Sequence, residues 1–508
     1  MRRLLGGSLV ALCALVAYLA LHYPLLDLPY FWDEAGYYIP AALDFFHRGL
    51  LIPKSTLPTG HTPFVPVYLA AAWKVFGCSP TTTRTAMLLL AFLAIVGLYA
   101  LARQVASREV AAWSCLLLAL SPLFFAQSTL AHLDLAAGVF TLLATITLLR
   151  NRYAWFAITA SLAVLSKETA VVLLPVAWLL LGFRAKVQRT RPARAAWLWT
   201  AFPLLPLLAW TVNYHHVTGY WTGNSEYLRY NLYSTLSPAR FLLTLLRRLY
   251  ELLVGGFNWV VVLAAIVGAG QERQVSGSMR SGTTSGPFAA RREFYLLASG
   301  LSSAYLLLLS VVGGAVLPRY LLPVVPFVYL VLTISVWRLR KAIARLVFII
   351  ASACFVSAWF LNPSYPFPFE DNLAYADFIR LHQQAADFLE RLPGEPRILT
   401  AWPATDELAH PVLGYIQKPL RVVAVAGFSE SDFRPVAPDS FDLLYFYSRK
   451  WEPRDNWVER FPVAKELQQR YFDYAPQIAD SELIRQFGLR LIAHFEGRGQ
   501  WVRIYSRH

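Results

Sequence analysis

The sequence predicts a polytopic α-helical membrane protein of about eleven spans, oriented N-in and C-out, that ends in a soluble extracytoplasmic α/β domain. Two observations carry that prediction. The 508 residues are 56% hydrophobic and only 15% charged, where soluble domains carry about a quarter charged residues. Apolar runs of spanning length recur up to residue 361, and none follows.

A helix needs about 20 apolar residues to cross the hydrocarbon core. That length predicts spans over 4–24, 84–102, 110–127, 133–149, 195–212, 249–268, 293–312, 319–337 and 343–361. Two shorter runs, 153–166 and 169–183, flank Ser166-Lys167-Glu168 and are expected to meet at a polar turn. The first run follows Arg2 and Arg3 and lacks a small-residue cleavage site, so it reads as a retained helix rather than a signal peptide. Residues 25–83 form a large first outer loop. Within it, 37–49 and 64–77 mix apolar, polar and aromatic positions and read as interfacial helices. The Ser/Gly-rich segment 272–290 reads as a flexible cytoplasmic linker. The transmembrane domain is thus expected over 1–361 and the soluble domain over 362–508. In the latter, strands are expected at 396–401, 420–426, 441–447, 488–494 and 501–506, with helices at 372–392 and 455–472.

Orientation follows from the loops. With the N-terminus inside, Arg and Lys cluster on the cytoplasmic side (Arg103 and Arg108, Arg150 and Arg152, Arg184 to Arg194, Arg338 to Arg345), while the longer outer loops hold fewer. The net charge of +15 therefore reads as a topology signal, with anionic lipid as the partner, and not as a nucleic-acid face. The four cysteines include no Cys-x-x-Cys pair, which argues against a disulfide framework or a zinc site.

On this topology five polar features share the outer face: Asp33-Glu34, Gly60-His61-Thr62-Pro63, His132-Leu133-Asp134, Lys167-Glu168 and Pro318-Arg319-Tyr320. An ionisable group at a membrane is costly and is a functional candidate by default. A carboxylate beside a hydroxyl can take its proton and make it a nucleophile. Cations can hold a phosphate as it leaves, and the arginine fork suits phosphate oxygens. Together these features suggest group transfer from a lipid-linked phosphate to an acceptor outside the membrane.

The motifs resemble those of the C-type superfamily of membrane glycosyltransferases. The nearest groups are the protein O-mannosyltransferases, the aminoarabinose transferase that modifies lipid A, and the bacterial enzymes that add galacturonic acid to lipopolysaccharide. Asp33-Glu34-x-x-Tyr37 is similar to their first-loop signature, and His61-Thr62-Pro63 to their His-Pro-Pro segment. Asp134 resembles their second outer acid, and Arg319-Tyr320-Leu321-Leu322-Pro323 their late motif near the lipid phosphate. The resemblance covers about residues 1–340. Gly36 stands where some relatives carry arginine, and Thr62 where many carry proline.

The resemblance implies inverting transfer of a sugar from a polyprenyl-phosphate donor to a hydroxyl of a protein, of lipid A or lipopolysaccharide, or of another glycan. Asp33 would be the general base, with Glu34 and Asp134 beside it as catalytic candidates. Tyr37, His61, His132, Lys167, Arg319 and Tyr320 are the substrate-binding candidates, Arg319 against the phosphate with Lys167. The site would lie on the extracytoplasmic face of the cell membrane. No cofactor is firmly implied, and a divalent metal at Asp33-Glu34 is left open.

Each candidate has a plain alternative: Asp33 as a helix cap, His132 as a hydrogen-bonded structural histidine, Glu168 as a cap or the partner of Lys167, and Arg319 as an interfacial side chain. His215-His216 with Glu226 reads as a solvated loop, and Asp406-Glu407 as ordinary surface acids. Two other function classes stay open at this point: a transporter or flippase for a lipid-linked sugar, and a non-catalytic membrane-anchored assembly protein.

Overall fold

The computed structural model describes residues 2–188, 192–223, 225–232, 235–275, 287–451, 460–472 and 476–507. The chain forms two compact units. One comprises Met1–Tyr23, Pro58–Tyr68 and Ala86–Trp359, and the other Pro24–Leu57, Leu69–Thr85 and Phe360–His508.

The first unit is helical. Each expected apolar run contains a helix, and the breaks fall where backbone chemistry requires them. The run at 110–127 divides into Arg108–Leu120 and Pro122–Gln127. Ser121 before the proline is extended, with ψ 134, because a residue preceding proline is pushed out of the helical region. The run at 195–212 is interrupted at Phe202-Pro203, between Arg194–Ala201 and Leu204–Thr218. The two short runs form Tyr153–Ser166 and Leu173–Gln188, joined through an extended Lys167 (φ −156, ψ 130) and the 3-10 turn Glu168–Val172.

One expected element differs. The run at 249–268 is not a single helix but the join of Pro238–Leu253 to Asn258–Val275. The two are bent by 40° at Gly255-Gly256-Phe257, where Gly256 has φ 59. That left-handed value favours glycine, and a Cβ there would lie 2.7 Å from the Pro122 ring. Among the described residues, five helices are long and apolar enough to cross a membrane: Pro80–Val105, Glu168–Val187, Arg194–Thr218, Ala290–Val311 and Lys341–Ala358. The bent pair makes a sixth. Arg2–His22, Leu133–Leu149 and Val325–Val336 are further apolar helices. Of the segment read as a linker, 276–286 lie outside the described residues.

The second unit contains all five expected strands: β1 Arg397–Ala401, β2 Arg421–Val425, β3 Leu443–Tyr447, β4 Arg490–Gly497 and β5 Gln500–Ser506. Their order is β2-β1-β3-β5-β4. β1 runs parallel to β2 and β3, with Leu399 opposite Val423 and Leu444. β5 is antiparallel to both β3 and β4. β3, Leu-Leu-Tyr-Phe-Tyr, is buried throughout, as an unbroken apolar central strand should be. The helix Ala374–Glu390 packs across β4 and β5. The expected helix at 455–472 is seen as Pro462–Tyr471, and 455–459 lie outside the described residues.

Glu407, expected at the surface, is buried at 1% exposure. Its Oε2 lies 2.6 Å from Nδ1 of His382, itself 1% exposed. The His382 ring stacks 3.8 Å from Phe378, with Tyr447 at 4.8 Å. Burial, reinforced by Glu407, holds the Tyr415 and Tyr445 hydroxyls far above the usual range and so protonated. Removing one member of such a pair strands the other in an apolar core. Glu407→Ala is expected to destabilise the protein by about 3–5 kcal/mol, measured as a lowered thermal unfolding midpoint. The double replacement His382→Phe with Glu407→Leu is expected to recover most of the loss.

Candidate active site

The helical unit gathers four of the expected residues around a fifth, the carboxylate of Asp134. Asp134 opens the helix Leu133–Leu149 and is 2% exposed. Its Oδ1 accepts from Lys167 Nζ at 2.6 Å, and its Oδ2 lies 3.6 Å from Arg319 Nε. Arg319 Nη1 lies 3.1 Å from His132 Nε2. The same Nη1 lies 3.3 Å from His132 Nδ1, which is hydrogen-bonded to Gln127 Oε1 at 2.7 Å. Tyr320 lies under the cations, its ring centroid 4.0 Å from Lys167 Nζ and 5.6 Å from the Arg319 guanidinium.

Local backbone explains the convergence. The extended turn at Lys167 sends its side chain one way and that of Glu168 the other. Glu168 therefore does not pair with Lys167 as expected: its Oε1 lies 3.0 Å from His61 Nδ1 instead. The His61 loop is itself pinned, since Trp210 Nε1 donates to the Gly60 carbonyl at 3.3 Å and the Tyr214 hydroxyl to the Pro58 carbonyl at 3.0 Å. Arg319 sits in the 3-10 turn Pro318–Leu321. The preceding segment is held by two buried arginines on Pro238–Leu253. Arg240 donates to the carbonyls of Gly313 and Gly314 at 3.0 and 2.9 Å, and Arg248 to that of Leu317 at 2.5 Å.

Lys167 and Arg319 thus meet on one buried carboxylate, and the geometry of a guanidinium suits phosphate oxygens. His215, read as part of a solvated loop, stacks 3.9 Å from Trp221; the Glu226 side chain lies outside the described residues.

The second unit carries Asp33, Glu34 and Tyr37. Glu34 is fully buried. Its Oε2 accepts from the Phe31 amide at 2.8 Å and pairs with Arg84 Nη2 at 3.3 Å. Arg84, also fully buried, donates to the carbonyls of Leu28 (2.8 Å) and Pro29. These bonds tie the loop 28–34 into one shape. Asp33 stands at the start of the π-helical turn Glu34–Tyr38, makes no capping bond with its side chain and is partly exposed. The capping alternative for Asp33 therefore has no support in the geometry. Trp402 lies beside this turn, 5.5 Å from the Trp32 ring and 5.6 Å from that of Tyr37. Among the described residues no three His, Cys, Asp or Glu side chains are grouped to hold a metal ion. Glu34 already spends Oε2 on a cation and an amide, so this donor set does not fit one.

Residues 60–210 match the family described as dolichyl-phosphate-mannose-protein mannosyltransferase, a stretch that holds His61, His132, Asp134 and Lys167. The structure is similar to that of ArnT from Cupriavidus metallidurans bound to undecaprenyl phosphate, with TM-score 0.56 and 14% identity over 98% of each chain. The apo form of that protein matches with TM-score 0.53 and 15% identity over 99% of this chain and 98% of that one. The likeness to these structures is one of fold. The archaeal oligosaccharyltransferase AglB from Archaeoglobus fulgidus, solved with an inhibitory peptide and a dolichol-phosphate, matches with TM-score 0.50 and 13% identity over 98% of this chain and 74% of that one. Among curated proteins compared by sequence, none matches.

Several residues that support the candidate residues within each unit are not evident in the sequence. Arg84 stands at the start of an apolar run, and its partner Glu34 lies 50 residues earlier in the chain. Arg240 and Arg248 read as outer-loop cations, and Trp402 as one tryptophan among the 16 of the chain.

Replacing Arg84 with methionine would leave Glu34 buried without its cation. Arg84→Met is expected to cost about 3–5 kcal/mol, read as a drop in the thermal unfolding midpoint. Adding Glu34→Leu is expected to recover only part of the loss, since it removes the unpaired charge but leaves the Phe31 amide and the Leu28 and Pro29 carbonyls without these partners.

Proposed function

We infer that this chain transfers a sugar from a polyprenyl-phosphate donor to an acceptor hydroxyl on the extracytoplasmic side of the cell membrane, with inversion at the anomeric carbon. It does so as a protein of about eleven spans, N-in and C-out. The observation that carries the reading is the buried group of Asp134, Lys167, Arg319 and His132. It presents cations where a soluble protein would keep them in water, and the matched fold includes proteins solved with undecaprenyl phosphate and dolichol-phosphate.

In this mechanism Arg319 and Lys167 hold the lipid phosphate. Asp33 takes the proton of the acceptor hydroxyl, and that oxygen forms a bond to the anomeric carbon from the face opposite the phosphate. The bond from that carbon to the phosphate oxygen breaks, and its electron pair leaves with polyprenyl phosphate, stabilised by the two cations. Asp134 keeps the cations placed when no phosphate is bound. Glu34 acts through Arg84, fixing the loop that presents Asp33. Tyr320, under Lys167 and Arg319, keeps both heads from turning toward solvent, and His61 and Tyr37 flank the substrates.

General-base catalysis is typically worth about 10²–10⁴-fold. Asp33→Asn is expected to lower the release of free polyprenyl phosphate from the donor by that factor, with protein fold and donor binding retained. Equal turnover by the wild type and Asp33→Asn would remove Asp33 as the base.

A further inference from the structure

Trp32, Asp33, Tyr37 and Trp402 are each partly exposed, while Phe31, Glu34, Ala35, Gly36 and Tyr38 between them are buried. The partly accessible residues of this neighbourhood are thus a carboxylate and three aromatics, with Trp402 5.5 Å from the Trp32 ring and 5.6 Å from that of Tyr37. The rings are held firmly. Trp32 has φ 46, a left-handed value uncommon for a bulky residue and found where a structure over-determines it. A Cβ on Gly36 would lie 2.5 Å from Trp402 Nε1 and 2.8 Å from Cζ2, so the indole fills the space any larger residue would take. The Trp402 carbonyl accepts from the Tyr447 hydroxyl at 2.8 Å.

Core packing alone would bury these rings. An interfacial belt accounts for Trp and Tyr near a membrane, but it requires neither a strained Trp32 nor a glycine shaped to admit Trp402. Ring faces carry negative charge from the π system, which suits the weakly positive C–H face of a pyranose. The hydroxyls on the rim of such a ring can donate to a carboxylate. We propose that Trp32, Tyr37 and Trp402 form a stacking platform for a sugar ring of the acceptor, so that the acceptor is a glycan or glycolipid headgroup. The platform rests on the reading of Asp33 as the base, because it places the acceptor hydroxyl beside that carboxylate. A serine or threonine acceptor in a peptide has no face to stack, and it would leave the platform without a use.

The test is saturation-transfer NMR on the full chain in lipid nanodiscs, with the methyl pyranosides of glucose, galactose, mannose, N-acetylglucosamine and rhamnose. At least one is expected to bind. Trp402→Ala is expected to weaken that binding roughly tenfold, and Trp402→Phe by less than about threefold. Gly36→Ala, which displaces the indole without removing it, is expected to weaken it as well. Variants are compared at equal thermal stability, and Trp402→Phe and Gly36→Ala keep the test decisive should Trp402→Ala fail to fold. Binding of no pyranoside by the wild type, binding insensitive to Trp402, or binding of a Ser/Thr-rich peptide in place of all pyranosides would each overturn the proposal. Polyprenyl-phosphate release is measured on the same samples. Loss of the donor reaction with Trp402-dependent sugar binding intact removes the catalytic reading and upholds the platform; the converse removes only the platform.

Discussion

Asp134 holds Lys167 and Arg319 at once, nearly out of reach of water, and the local architecture of the helical unit serves that arrangement. Taking a charge out of water costs several kcal/mol even after relaxation, and only close partners with good geometry offset it. Each member is brought in by a break in regular structure: Lys167 by an extended residue between helices, Arg319 by a 3-10 turn, Asp134 by a helix start. Regular helices would have pointed these side chains into lipid. The buried arginines 240 and 248 do the same service one layer out, satisfying the carbonyls of the segment that leads to Arg319.

The second unit solves a similar problem differently. There the fully buried ion pair Glu34–Arg84 is not aimed at a ligand but at the backbone around it, where it satisfies an amide and two carbonyls. The adjacent acids of the first loop have therefore separated in environment. Glu34 is fixed inside, and Asp33 stays partly open on the turn it starts. The same unit joins most of the first loop to the C-terminal sheet. The Tyr415 hydroxyl donates to the Tyr30 carbonyl at 3.1 Å, and Phe31 packs edge-on to Phe378 at 5.4 Å. Residues far apart in the chain thus determine the shape of the loop that carries Asp33.

What was legible in the sequence is what is local. Apolar run length and period located the helices and all five strands, and Pro122 and Pro203 mark breaks whose cause is one residue away. The expense of intramembrane charge singled out Asp134, Lys167 and Arg319 without any structure. Pairing was less legible, because it is a long-range property. Lys167 and Glu168 are neighbours in the chain, yet they pair with different partners. Arg84 is the counter-ion of Glu34, 50 residues away in the chain. Glu407 looked like a surface acid and proved to be buried against His382. Trp402 gained its meaning only from the missing side chain at Gly36.

The central claim is that the cations gathered by Asp134 form the seat of a lipid phosphate. The most direct measurement is a cryo-EM density map of the full chain in nanodiscs loaded with polyprenyl phosphate. The account predicts phosphate density within hydrogen-bonding distance of both Arg319 and Lys167, with the Asp134 pairs loosened to admit it. Phosphate density elsewhere, with both cations still held on Asp134, would contradict it.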